Sequence, residues 1–416
     1  MTRAGRWYYG WNIVAAASTL TLLTTGLRMS IGPFFLPIAE DLGFSRSLLA
    51  SIVAVGMLCY GIGMPIAGQL VGSRGTRFVV LLGLALILVA LAGSVMATGP
   101  VTFLLAFGIV LSLGLAFISP VAFTPMIARW FTRQRGAALF FLSTGAMAGI
   151  ALMTPAMGYM IQEWGWRATL LGYGGVLAAV TVPLAVGVLR ENAPAETDTF
   201  PGSRSAAAVA ANASPSPRLC MADALHSLPF WQVALGMFAC GYSMNLLGTH
   251  GVPMLVDHGY PSMEAASGIG LIGFAAIFST IVLGRLSDRL PRRNILAAIY
   301  FIRGLGFFGL LMVLTPIQLY TVALIGGIVW AGSIALSSAI LADVYGVRLV
   351  GVLYGWSYLG HQLGGMISSW LGGWAYEQFG THWIAFGSAA VLLLVASGVS
   401  LRLPRAGAYV LRPRSA

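Results

Sequence analysis

Apolar positions in this chain neither alternate nor keep to one helical stripe. They run on for about 20 residues at a time and stop at short clusters of charge, glycine and proline. A hydrocarbon core about 30 Å thick takes about 20 helical residues to cross. Only helices and closed barrels satisfy every backbone N–H and C=O in lipid, and barrel strands alternate where these runs do not. The pattern therefore predicts an all-α membrane protein. Its apolar segments give twelve transmembrane helices, at roughly 11–36, 48–70, 78–97, 101–128, 137–160, 167–189, 230–256, 264–284, 294–314, 317–342, 350–376 and 382–403.

Composition removes the soluble alternative. Of 416 residues 58% are apolar and 8% charged, with a mean hydropathy of +0.86, whereas soluble domains carry about 25% charge. The net charge of +11 needs no nucleic acid to explain it. There is no lysine, and all 23 basic residues are arginines. With twelve spans, every arginine except Arg28, Arg46, Arg167 and Arg303 falls on the face that carries both termini. By the positive-inside rule that face is cytoplasmic, so a multi-pass protein of the cell (inner) membrane with both termini inside is expected. Arg3 and Arg6 precede an apolar stretch too long for a signal-peptide core, which reads as an uncleaved first span. Cys59, Cys220 and Cys240 lie far apart, leaving no disulfide framework and no CxxC pair. Neither a metal nor any other cofactor is expected. The longest polar interruption holds the Ala-, Ser- and Pro-rich stretch Pro201–Pro217, which cannot build a core. The organisation expected is therefore a first six-helix bundle over 1–190, a cytoplasmic linker over 191–229, and a second bundle with a short tail over 230–416.

The halves repeat one another. Gly68-Gln69-Leu70-Val71-Gly72-Ser73-Arg74 parallels Gly284-Arg285-Leu286-Ser287-Asp288-Arg289 at an offset of 216, and Gly145, Gly149, Gly158 and Gly165 recur as Gly360, Gly364, Gly373 and Gly380 at 215. Two pseudo-symmetric six-helix bundles are the architecture of alternating-access carriers, which hold their substrate near mid-membrane between the halves.

On these residues the chain resembles a transporter of the major facilitator superfamily over essentially its whole length. The loops Gly68–Arg77 and Gly284–Arg293 are similar to that superfamily's G-x-x-x-D-R-x-G-R loop. Gly68, Arg74, Gly284, Asp288 and Arg289 thereby become the candidate gating residues. The first copy has Gly72 where the acid is expected. Several stretches resemble the monocarboxylate and oxalate/formate carrier branch. They are Tyr9-Gly10-Trp11 with Gly26–Phe34, Ala128-Arg129-Trp130-Phe131 through Gly165-Trp166-Arg167, His250-Gly251-Val252-Pro253, and Tyr354-Gly355 through His361–Gly365. In that branch a cationic residue of span eleven faces the carboxylate, and the Tyr-Gly spacing places His361 there. The chain departs from the branch in span eight, where Thr280 stands in place of an arginine and no acid precedes Asp288.

Ionisable side chains inside spans are expensive, by about 2.5–3.5 kcal/mol for arginine, and are functional candidates by default. Here they are Arg28 in span one, His250 in span seven, Arg303 in span nine and His361 in span eleven, and no acid lies well inside any span. Two permanent cations without a carboxylate partner call for water, carbonyls or a visiting anion. The arginine fork suits a carboxylate bidentately. For Arg28 the competing reading is that it reaches water; for Arg303, that it bonds backbone carbonyls. Tyr354 and Tyr358 precede His361 on one helical face. His361 is a candidate proton carrier, or else a packing residue. His250, with Asn245 before it, either lines the outer mouth or packs.

The reading is a monomeric secondary carrier, partnered by lipid bilayer and small organic anion, coupled to a proton or to exchange. Its substrate-binding candidates are Arg28, Arg303, His361, Tyr358, Tyr354, His250 and Asn245. The alternative is an efflux carrier for amphipathic metabolites or drugs. A nucleotide-driven pump is excluded by the lack of any Gly-x-x-x-x-Gly-Lys motif, and no grouped acids and histidines support an enzyme.

Overall fold

The computed structural model describes residues 8–131, 134–193, 221–287, 289–345 and 347–404. All its regular elements are helical. In the first half these are α1 (Gly10–Met29), α2 (Ile31–Leu42), α3 (Arg46–Arg74), α4 (Thr76–Met96), α5 (Pro100–Phe103), α6 (Leu111–Phe117), α7 (Pro120–Trp130) and α8 (Arg135–Pro183). A π-helical stretch, Leu104–Val110, joins α5 to α6, and another, Leu184–Val188, follows α8. The second half holds α9 (Met221–Leu225), α10 (Leu228–Asp257), α11 (Ser262–Ser287), α12 (Arg292–Leu311), α13 (Pro316–Ile328), α14 (Gly332–Tyr345), α15 (Val347–Phe379) and α16 (Trp383–Leu401).

Local chemistry sets these boundaries. The Ser45 hydroxyl accepts the Leu48 amide at the start of α3, and Thr315 caps α13 through Gln318. Gly43, Gly259 and Gly380 end helices at φ of 64°, 90° and 64°, and Gly165 breaks α8 at φ 74°. Positive φ of this kind favours glycine, which has no Cβ.

Eight described helices are long and apolar enough to cross a membrane, nine if the pair α1–α2, bent by 44°, counts as one span. One of the eight, Ala137–Val188, has 52 residues and turns at Gly165. Helices α10 and α15, at 30 and 33 residues, are also long enough to cross at about 1.5 Å per residue. The helices thus accommodate twelve crossings, and an even number puts Gly10, which begins the first, and Leu401, which ends the last, on one face, here called the terminal end, opposite the distal end. Three spans expected to be continuous are broken. The first bends at Ser30, the fourth breaks at Ile118–Ser119, and the tenth breaks between Ile328 and Gly332. Ser119-Pro120 marks the fourth break as a helix start, a signal that run length alone does not register. Residues 194–220, most of the expected linker, lie outside the described residues.

Two apolar cores form. One gathers buried side chains from Ile13 to Leu189. The other runs from Ala224 to Leu403, with Met29 and Ile150 contributed by the first half.

The repeat is physical, because paired glycines admit paired backbones. A Cβ at Gly149 would sit 2.4 Å from the Leu22 carbonyl, and one at Gly364 would sit 2.3 Å from that of Phe238, the residue 216 further on. Between the halves, Gly158 faces Ala266 while Gly373 faces Ala50. Small residues at such crossings let transmembrane helices approach closely.

Polar contacts fasten the halves at the distal end. Arg46 of α3 pairs with both carboxylate oxygens of Asp257 on α10, the longer contact at 2.9 Å. His382 Nε2 donates to the same carboxylate at 2.8 Å, and the Arg46 guanidinium lies 4.1 Å over the Tyr376 ring. The Ser47 amide donates to Glu377 at 2.8 Å. Half-burial pushes the Asp257 carboxyl upward, but the bonds from Arg46 and His382 outweigh it and hold it at about 2. Burial holds the His382 ring below its usual value despite the carboxylate. On α3, Gly61 still touches Gln362 of α15, whereas one residue further toward the terminal end Ile62 is 48% exposed.

A depressed carboxyl stabilises the closed distal end fully above its ordinary range and loses that effect as pH falls through about 2. Spin labels at the exposed positions Glu163 and Gln378 should therefore keep one separation from pH 8 to pH 5. In Asp257→Asn the separation should lengthen already at pH 7. An opening of the unsubstituted protein near pH 6 would place control on His382 instead.

Candidate functional site

Arg28 stands near the end of α1, half-buried on the line where the halves meet. Its Nη2 donates to Asn245 Oδ1 of α10 at 2.9 Å. The guanidinium lies 4.2 Å over the Tyr60 ring of α3 and 3.8 Å from Met57 Sδ. Its Nε is buried without a hydrogen-bond partner. Asn245 is held ready by its own Nδ2, which donates to the Gly241 carbonyl at 2.8 Å. Gly365 makes room for it, since a Cβ there would reach 2.4 Å from Nδ2.

Across the joint, α15 supplies a stacked pair. The His361 and Tyr358 rings lie 5.0 Å apart and nearly parallel, at 7°, and Tyr354 follows 5.9 Å from Tyr358. His361 is 2% exposed, and neither ring nitrogen has a partner. The charges of Arg28 and Arg303 both reach it. A buried imidazole with two unpartnered nitrogens and two cations in range suits a hydrogen bond to an anion, while the cations oppose a proton on the ring unless an anion is present.

Arg303 is placed differently. It is 1% exposed, and its Nη2 donates to the Val329 carbonyl at 2.7 Å and to that of Trp330. It also reaches Ser333 Oγ and Cys240 Sγ, each at 3.3 Å. Those carbonyls are freed where the tenth span breaks, at the negative end of α13. Of the two readings open for this residue, its donors follow the backbone one. His250 sits in packing as well, rather than at a mouth. Its Nε2 lies 2.7 Å from the Ser369 carbonyl, its ring meets Phe35 edge-on at 4.9 Å, and Gly372 leaves room for it. Asn245, expected beside His250, is the partner of Arg28.

Among the gating candidates, Gly68 lies in α3 and Gly284 in α11. Arg74 lies 5.2 Å over the Phe78 ring. Arg289 follows α11 in a turn closed on the Leu286 carbonyl, and Asp288 lies outside the described residues. At the end of this loop stands Glu191, which follows span six. It accepts from the amides of Thr76 and Arg77 and pairs with Arg129 at 3.0 Å.

Tyr60, Met57 and Gln362 are site residues that the sequence did not single out. Met57 and Tyr60 share a helical face three residues apart, a signal indistinguishable from ordinary packing in an apolar run.

Arg303→Leu strips partners from two carbonyls at about 1–3 kcal/mol each, so its thermal midpoint in detergent should fall well below that of Arg28→Leu. Equal midpoints would contradict a backbone role for Arg303.

With this geometry in hand, comparison with known proteins is direct. The profile of the Major Facilitator Superfamily matches residues 17–335. The uncharacterized MFS-type transporter YcxA of Bacillus subtilis (strain 168) is 26% identical over 378 residues, covering 89% of this chain and 89% of that protein. Human monocarboxylate transporter 11 is 28% identical over 412 residues, covering 96% and 83%. Among solved structures, a bacterial homolog of the human lysosomal transporter Spinster, inward-facing and occupied, superposes with a TM-score of 0.70 at 17% identity, covering 95% and 97% of the two chains. That last likeness is one of fold alone.

Proposed function

The chain belongs to the Major Facilitator Superfamily and is a transporter rather than an enzyme, and from that premise we propose that it carries a small organic anion with one carboxylate, by alternating access. The observation that carries this reading is Arg28. It sits at the joint with a buried, unpartnered Nε and with a neutral amide and two side chains around its fork instead of an acid. A guanidinium so placed is completed by a carboxylate that arrives and leaves.

Asn245 binds Arg28 from the other half, so an anion arriving on Arg28 acts at the joint between the halves. The Arg46–Asp257 pair and its neighbours close the distal end, which is the extracellular side under the positive-inside reading. Release of that latch and closure of the terminal end would expose the anion to the opposite face. His361 is the proton carrier in this scheme. Tyr358 stacks on it and the charges of Arg28 and Arg303 reach it, and a bound anion supplies the negative charge that lets its ring take a proton. Arg303 holds the broken tenth span and does not touch substrate. The relatives named monocarboxylate transporters support the substrate class, while Thr280 in span eight leaves Arg28 to do what a second arginine does in that branch.

In proteoliposomes, Arg28→Gln should insert and fold normally yet lose uptake of radiolabelled monocarboxylate by at least about 100-fold, the loss of a charged hydrogen-bond pair. Undiminished uptake would remove the residue from its central role. His361→Gln should retain exchange but lose the acceleration caused by an inward proton gradient. A pH profile unchanged from that of the unsubstituted carrier would take the proton away from this histidine.

A further inference from the structure

Arg303 holds the freed carbonyls of the tenth span, but a fixed charge acts beyond the atoms it bonds. Its Nη1 lies 3.3 Å from Cys240 Sγ of α10. At the next residue, Gly241, α10 meets α15. A Cβ there would collide with the His361 carbonyl and lie 2.8 Å from the His361 Cα. Asn245, one turn further along α10, takes Arg28. The short segment from Cys240 to Asn245 therefore links His361 to both arginines, and both charges reach its ring. At an effective dielectric constant of about 20, a unit charge changes a proton equilibrium about tenfold from about 12 Å away.

The two cations differ in what can cancel them. Arg28 is half-buried at the joint, where an arriving anion meets it. Arg303 is 1% exposed inside the second half, and its carbonyl partners carry no net charge to offset its own. An anion at the joint thus cancels the first charge and leaves the second standing. The other groups around His361 supply no negative charge. Tyr60 of α3 and Cys240 of α10 reach its stacking partner Tyr358, and Tyr354 follows on its own helix; phenols and thiols are neutral at pH 7. Helix α16 has no titratable side chain. Asp223 of α9 and the α14 residues Asp343 and Tyr345 stand at the terminal end, while Arg46 and Asp257 pair at the distal end.

A carrier that took a proton on His361 while empty would pass protons alone and dissipate the gradient that drives it. We propose that Arg303 is a positioning residue for coupling, its fixed charge keeping His361 of the empty carrier free of a proton, so that the proton is taken only together with the anion. This rests on the reading of His361 as the proton carrier. The proton comes to a ring nitrogen from water on one face and returns to water on the other. The anion that cancels Arg28 tips the balance that Arg303 sets.

Cys240 allows the charge to be cancelled while Arg303 keeps its carbonyls. Cys240→Asp puts a carboxylate beside the guanidinium, and Cys240→Asn puts the same shape there uncharged. Full-length carriers are placed in proteoliposomes with a trapped pH-sensitive dye and no carboxylic acid, and an inward proton gradient is imposed. The unsubstituted carrier and Cys240→Asn should admit protons only at the background rate. Cys240→Asp should admit them at least about tenfold faster, and adding His361→Gln to it should restore the background. Without its opposing charge the ring holds a proton at higher pH, so the pH profile of uptake should move upward in Cys240→Asp alone. Equal proton entry in Cys240→Asp and Cys240→Asn, or entry that survives His361→Gln, overturns the role of Arg303 and leaves the anion site standing. Proton-driven uptake that survives His361→Gln alone overturns the proton carrier itself. Should Cys240→Asp fail to fold, Arg303→Gln, which keeps a donor for the carbonyls, is compared with Arg303→Lys, which keeps the charge. Equal proton entry in that pair overturns the proposal, and faster entry in Arg303→Gln supports it.

Discussion

A guanidinium inside hydrocarbon dictates its own surroundings, because the charge cannot be removed by deprotonation and every unmet donor carries a desolvation penalty. Arg303 and Arg28 are the two places where this chain accepts that penalty, and they meet it in opposite ways. Arg303 is surrounded by fixed acceptors, above all the carbonyls of Val329 and Trp330. Its charge in turn stabilises a helix end that lipid would otherwise forbid. Arg28 has a neutral amide, a ring face and a thioether and no carbonyl, so although the Nε of each arginine is buried without a partner, the two differ in the acceptors around the fork. The difference separates a residue that completes the fold from one that the fold leaves incomplete.

The incompleteness is useful because of where the architecture puts it. Glycines at matched positions let α8 lie on α1 and α15 on α10 at backbone distance, building two similar halves. Arg28 belongs to one and its partner Asn245 to the other. The distal cluster of Arg46, Asp257 and His382 ties the same halves together at their far end. A bond across the joint and a latch beyond it are the physical parts from which a change of access can be made.

Fold and site were legible in the sequence to different degrees. The all-helical fold follows from run length alone, since lipid leaves the backbone few options. The repeat was visible in Gly145, Gly149, Gly158 and Gly165 and their counterparts. The structure adds Gly43 and Gly259, which end corresponding helices with positive φ. The break in span four coincides with Ser119-Pro120, a helix-start signal inside an apolar run, whereas Val329 in span ten is as apolar as its neighbours and gives no warning. Among the cations, Arg28 and Arg303 looked alike in sequence, each an arginine in an apolar run. Only the neighbouring backbone distinguishes them, and a carbonyl freed by a helix break leaves no mark on composition. His361 was singled out by the Tyr-Gly spacing, and His250 was left between mouth and packing until the Ser369 carbonyl claimed it, while both nitrogens of His361 stay without a partner. Tyr60 and Met57 hid among packing residues for the same reason.

The proposed anion site rests on an electropositive joint with no matching acid among the described residues, and the thermal stability of the purified protein in a panel of ligands tests it most directly. A ligand that binds only the folded state raises the unfolding temperature. Monocarboxylates should raise it in a concentration-dependent way, with sugars and lipophilic cations leaving it unchanged. Stabilisation by lipophilic cations or sugars, with no response to any carboxylate, would contradict an anion site built on Arg28.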